Sequence, residues 1–152
     1  MSNSRISFAG PLAWLGCFLL MTSFGASKLA AADPRLEVQL VWGTNDDSSP
    51  DPKHKPLEAS LVKKLGMFKW KNYFTVNRKD VLLALNAAQK IQLSPQCEIE
   101  IKHLGSQRYE INVFGQKKHV KKITEKITRQ DSLTIAGDDK NDCAWIILIR
   151  EI

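Results

Sequence analysis

"CEIEIKHLGSQRYEINVFG", Cys97 to Gly115, places isoleucine at 99 and 101, then tyrosine, isoleucine and valine at 109, 111 and 113. Glutamate, lysine, asparagine and arginine fill most of the intervening positions. A two-residue period puts alternate side chains on opposite faces of a strand, so each half reads as a strand with one apolar face. Gly105-Ser106-Gln107 separates the halves as a turn, and Gly115-Gln116-Lys117-Lys118 turns the chain again. The stretch is therefore a β-hairpin, and its neighbours repeat the pattern.

Towards the N-terminus, "RLEVQLVW", Arg35 to Trp42, alternates Leu36, Val38 and Leu40 with Arg35, Glu37 and Gln39. This predicts a half-buried strand with Glu37 and Gln39 facing solvent. Asn45 to Pro56 holds three prolines among polar residues and predicts an exposed loop, because proline lacks the amide proton a ladder needs. Leu57, Leu61 and Leu65 recur every four residues with Val62 beside them, and Gly66 follows. That predicts one short amphipathic helix. From Met67 strand alternation returns through Phe68, Trp70, Phe74 and Val76. The polar run Asn77–Asp80 predicts a loop or hairpin, after which a strand reaches Leu93.

Towards the C-terminus, Ser132–Gly137 and Cys143–Ile152 predict two further strands around the polar loop "DDKND". Short strands at intervals of about ten residues read as a mainly β fold, a small antiparallel β-sandwich or barrel with one short helix.

"QKKHVKKITEKITR", Gln116 to Arg129, is the most basic stretch. Val120, Ile123 and Ile127 share a face on a helix. On a strand Val120 falls on the other face unless a bulge intervenes. Composition favours strand, since valine, isoleucine and threonine dominate. Lys117, Lys118, Lys121, Lys122 and Lys126 then read as the solvated guard of an edge strand. They are also the candidate polyanion-binding residues. Nucleic acid is not expected, because no aromatic side chain is interleaved to stack a base.

The first 32 residues have the pattern of a secretion signal: Arg5, an uncharged apolar stretch densest from Leu12 to Met21, and Ala30-Ala31-Ala32 for cleavage. An uncleaved N-terminal membrane anchor is the minor alternative, and Cys17 lacks the preceding box that lipidation needs. Cleavage leaves residues 33–152 as a single mainly β domain with no membrane span. Of 22 basic residues Arg5 and Lys28 are lost, leaving 20 against 16 acids, a net charge of +4. That mildly basic balance supports no strong claim about nucleic acid.

Two cysteines remain, and an exported chain predicts that Cys97 and Cys143 form a disulfide. The expected topology agrees. Five strands running up and down from Cys97, Arg108, His119, Ser132 and Cys143 would start the first and fifth at the same end.

His54, His103 and His119 have no metal-ligand spacing, so neither metal nor cofactor is expected. "GDDKND", Gly137 to Asp142, has lysine where a calcium loop needs oxygen, and reads as a turn. No nucleophile motif is present. Trp42, Phe68, Trp70, Tyr73, Phe74 and Trp145 are core candidates that could instead form a binding platform. These residues predict an exported, non-enzymatic binding or structural module of the cell envelope. Its expected partner is an acidic envelope polymer or another envelope protein. The alternative is a small secreted enzyme or inhibitor with a loop-built site.

Overall fold

The computed structural model describes residues 32–138 and 143–152. The predicted leader up to residue 31, and residues 139–142 of the polar loop, lie outside the described residues. The fold is mainly β, with two antiparallel sheets stacked as a sandwich that does not close into a barrel. In chain order the elements are β1 (Arg35–Thr44), β2 (Lys55–Pro56), α1 (Ala59–Lys64), β3 (Asn72–Leu82), β4 (Ala88–Ser94), β5 (Cys97–Gly105), β6 (Arg108–Gly115), β7 (Lys118–Lys126), β8 (Leu133–Asp138) and β9 (Ala144–Glu151). One sheet has the order β2-β3-β1-β9-β8 and the other the order β4-β5-β6-β7. No described helix is long and apolar enough to cross a membrane.

The alternating residues meet between the sheets. Leu36, Val38 and Leu40 of β1 and Ile147 and Ile149 of β9 share one core with Ile99 and Ile101 of β5 and Tyr109, Ile111 and Val113 of β6. A second core lies on the opposite face of the five-stranded sheet. There Val41, Ile146 and Leu148 pack under Leu57, Leu61, Leu65, Trp70 and Tyr73. The helix and its flanking segment thus form a third layer. Leu57 donates its backbone N–H to the Tyr73 carbonyl at 2.9 Å, and Tyr73 Oη donates to the Leu65 carbonyl at 3.2 Å. The helix ends at Lys64, with Leu65 as its C-cap and Gly66 following.

The hairpins of the four-stranded sheet turn on two residues each. Gly105 pairs with Arg108 and Gly115 with Lys118. The central residues Ser106, Gln107, Gln116 and Lys117 all have positive φ, between 49° and 64°. Positive φ at both positions defines the type I′ turn, whose twist matches that of the strands.

Three expectations are corrected. Asn77–Asp80 is not a loop, since β3 runs through it to Leu82. The polar run is satisfied by charge pairing across to β1, with Arg35 Nη2 2.9 Å from Asp80 Oδ2 and Arg78 paired to Glu37. The chain turns instead between Leu82 and Ala88. The last five strands are not one up-and-down series, because the connection after β7 crosses to the other sheet. Glu37 and Gln39 do not face solvent; they are 1% and 3% exposed. The reason is that β1 is a central strand covered on both faces.

Candidate functional site

β1 and β9 run antiparallel with Trp42 opposite Trp145. Both indoles lie on the core side of the sheet, since each falls in step with inward residues two positions away. At this end the sheets part. Between them is an open cleft of about 500 Å³, walled by Trp42, Trp145 and Val76 on one side and Val113 and Val120 on the other. Such a volume is within the range of small-ligand sites. Ser94, Gln96, Gln116 and His54 give its rim polar character.

Local irregularities shape the cleft. In β3 the register slips so that Leu40 faces Asn77 while Val41 faces Thr75, leaving Val76 as the extra residue. In β7 it slips again: Val113 faces Lys121 and Phe114 faces His119, which leaves Val120 unpaired and lining the cleft. The bulge that reconciles Val120 with a strand is thus present. Two hydrogen bonds hold the mouth. Gln116 donates its N–H to the Gln96 carbonyl at 2.8 Å, and Asn77 Nδ2 donates to the Leu93 carbonyl at 2.8 Å, tying one sheet to the other. His54 sits within hydrogen-bond distance of Ser49, with Nδ1 to Oγ 2.6 Å.

Cys97 also lines the cleft and is half-buried. Burial pushes its thiol pKa up, the reverse of what an activated thiolate needs. Cys143 is buried and donates to Thr44 Oγ1 at 3.7 Å. The expected Cys97–Cys143 disulfide is absent. The two residues open strands of different sheets, and Cys143 turns to Thr44 on its neighbour β1.

The predicted lysines do not converge. All five are exposed on or beside β7, an edge strand. The register sets Lys118 and Lys121 opposite Gly115 and Val113, on the cleft side, while Lys122 and Lys126 oppose Asn112 and Arg108 on the outer face. Lys122 Nζ lies 2.9 Å from Glu110 Oε2. Its hydrogen bond holds the Glu110 carboxyl below the usual range. Lys117, in the turn, borders a neighbouring depression with Lys90, Glu98 and Phe114.

A charged cluster that sequence alternation missed lies on the far face of the five-stranded sheet. Arg150 Nε donates to Glu37 Oε1 at 2.7 Å, and Gln39 Nε2 donates to the same oxygen at 2.5 Å. Arg78 forms an ion pair with Oε2 that is not aligned as a hydrogen bond. Arg150 Nη2 also reaches Glu58 Oε2 at 3.6 Å. The Glu58 carboxyl is held low by the Ser60 hydroxyl and then by Arg150. The hydrogen bond to Glu37 raises the Arg150 pKa further. This cluster lines neither depression, and its groups neutralise one another.

The remaining candidates separate. Trp70 and Tyr73 are buried under α1 and present no platform. His103 stacks on Tyr109 at 5.0 Å between ring centres, and His119 meets Phe114 edge-on at 5.4 Å. Among the described residues no three His, Cys, Asp or Glu side chains are grouped to hold a metal. No family model, curated protein or solved structure matches the chain.

Proposed function

We propose that the protein is an exported, non-enzymatic binding module of the cell envelope, released from residues 1–32, which takes an apolar group into the cleft beside Trp42 and Trp145. The observation that carries this reading is the cleft itself: two paired strands each contribute an indole, and valines from both sheets complete the walls. Tryptophan offers a large apolar area with few rotatable bonds, so binding there costs little side-chain entropy. The buried carboxylate Glu37 is neutralised away from the cleft. The Cys97 thiol is shifted towards its protonated form. Both favour a binding role over catalysis. The lysines of β7 guard the sheet edge in this reading.

The test is tryptophan fluorescence of the purified protein titrated with decanol. A saturable change in emission, weakened at least fivefold by Val120→Asp, is expected. Val120 is exposed, so that variant keeps its fold. Absence of a saturable response to alkyl and aromatic probes would reject the cleft as a ligand site.

A further inference from the structure

We infer that the ligand of this cleft is an anionic amphiphile with a single alkyl chain, its chain between the sheets and its head group on the lysines of the β6–β7 hairpin. The inference rests on the cleft reading and adds the chemistry of the head group. Lys118 and Lys121 are the cross-strand partners of Gly115 and Val113, and both of those residues line the cleft. Gln116 and Val120, which flank the basic tripeptide Lys117-Lys118-His119, line it too. The bulge at Val120 is what brings this about. It turns an apolar side chain inward at the mouth and returns Lys121 to the cleft side of the strand.

Charge separates these lysines from their neighbours. Lys122 is committed to Glu110, and Lys90 is 3.9 Å from Glu98. Lys118 and Lys121 have no acidic partner among the described residues. No described residue lining the cleft is acidic. An apolar slot with an uncompensated cationic lip is complementary to a chain that ends in a carboxylate or phosphate. It opposes a cationic head group. The lysines are point charges on flexible stems, so they select sign more than shape.

The experiment compares decanoate, decanol and decyltrimethylammonium against the full chain, by tryptophan fluorescence and by protection of Cys97 from alkylation. Decanoate is expected to bind about tenfold more tightly than decanol at low salt, and the cationic amphiphile more weakly than either. The advantage of decanoate should shrink as salt rises. It should fall below about threefold in Lys118→Gln/Lys121→Gln. Lys122→Gln/Lys126→Gln, on the outer face, should leave it unchanged. Equal binding of the three probes would overturn the head-group inference while leaving the cleft reading in place. No binding by any of them would overturn both. Binding to anionic vesicles without binding of monomeric decanoate would also overturn the inference, because the surface would then read a membrane and not a single chain. An equal loss in the outer-face variant would do so as well, by reducing the effect to net charge.

Discussion

The indole of Trp145 occupies the space that a side chain on Gly137 would need. A Cβ built on Gly137 would stand 2.9 Å from Nε1 and nearer still to Cζ2 and Cε2 of that ring. The two residues are paired across β8 and β9, so the ring lies flat over the edge strand and forms one wall of the cleft. Gly137→Ala must displace the ring, since the backbone of β8 is held by its ladder. We expect a loss of about 1–3 kcal/mol by urea denaturation and a shift in tryptophan emission. An unchanged emission would place the ring elsewhere.

Arg150→Met should destabilise the fold by about 3 kcal/mol, because it strips an aligned hydrogen bond from a carboxylate that is almost fully buried. The double variant Glu37→Met/Arg150→Met should recover much of that loss, since no buried charge is then left short of a partner. The measurement is a double-mutant cycle in urea. Additive losses would show that the pair does not act as a unit.

Tyr109 is fully buried and its hydroxyl has no hydrogen-bond partner. Tyr109→Phe is expected to be neutral or stabilising by up to about 1 kcal/mol at pH 7. Burial, and then the charge of Glu151, push the phenol pKa up to about 12. Below pH 10 the phenol is protonated in both folded and unfolded chains. Between pH 10 and 12 only the unfolded chain ionises, so stability falls as pH rises through that window. Unfolding curves of the two proteins from pH 9 to 12 should diverge there, with the phenylalanine variant losing less.

Non-reducing peptide mapping should return Cys97 and Cys143 on separate peptides. In the native protein Cys97 should alkylate more slowly than a free thiol at pH 8 and accelerate as pH rises, because burial holds its proton. A linked peptide would contradict the structure at both strands.

Replacing Ser106-Gln107 by Asn-Gly should raise stability by about 1 kcal/mol, as both residues adopt positive φ, which asparagine and glycine adopt at least cost. Thermal melting is sufficient to detect it. A lower melting temperature would mean that the serine or glutamine side chain matters more than the backbone strain.

Where one face of a strand is buried and the other wet, the residues announce it, and β5 and β6 were legible for that reason. β1 was legible as a strand but not in its surroundings. Its alternation is that of a half-exposed strand, yet Glu37 and Gln39 are sealed under Arg150 and Arg78. A signal existed in "AWIILI", Ala144–Ile149, where apolar residues of both parities demand cover on both faces. Leu61 of α1, with Leu57 and Leu65 beside it, supplies it. Val120 was ambiguous because a bulge shifts parity by one, and parity is all that a sequence pattern offers. The cleft escaped notice for a different reason. Trp42 and Trp145 are 103 positions apart in the sequence, and only the β1–β9 register sets them side by side.

That register also fixes an order of events. The four-stranded sheet is a meander, each strand pairing with the next in sequence, and closing its hairpins costs little loop entropy. Among the described residues β1 is the first strand and β9 the last, joined from Leu36–Glu151 to Gly43–Ala144. A chain emerging from the ribosome, or threading through a pore from its N-terminus, carries β1 with one open edge until the final strand arrives. During that interval Leu36, Val38, Leu40 and Val41 form an apolar ribbon with unpaired amides, the kind of segment that chaperones hold and that neighbouring chains capture. Synthesis interrupted before Ala144 would therefore release a species with a formed meander and an adhesive first strand.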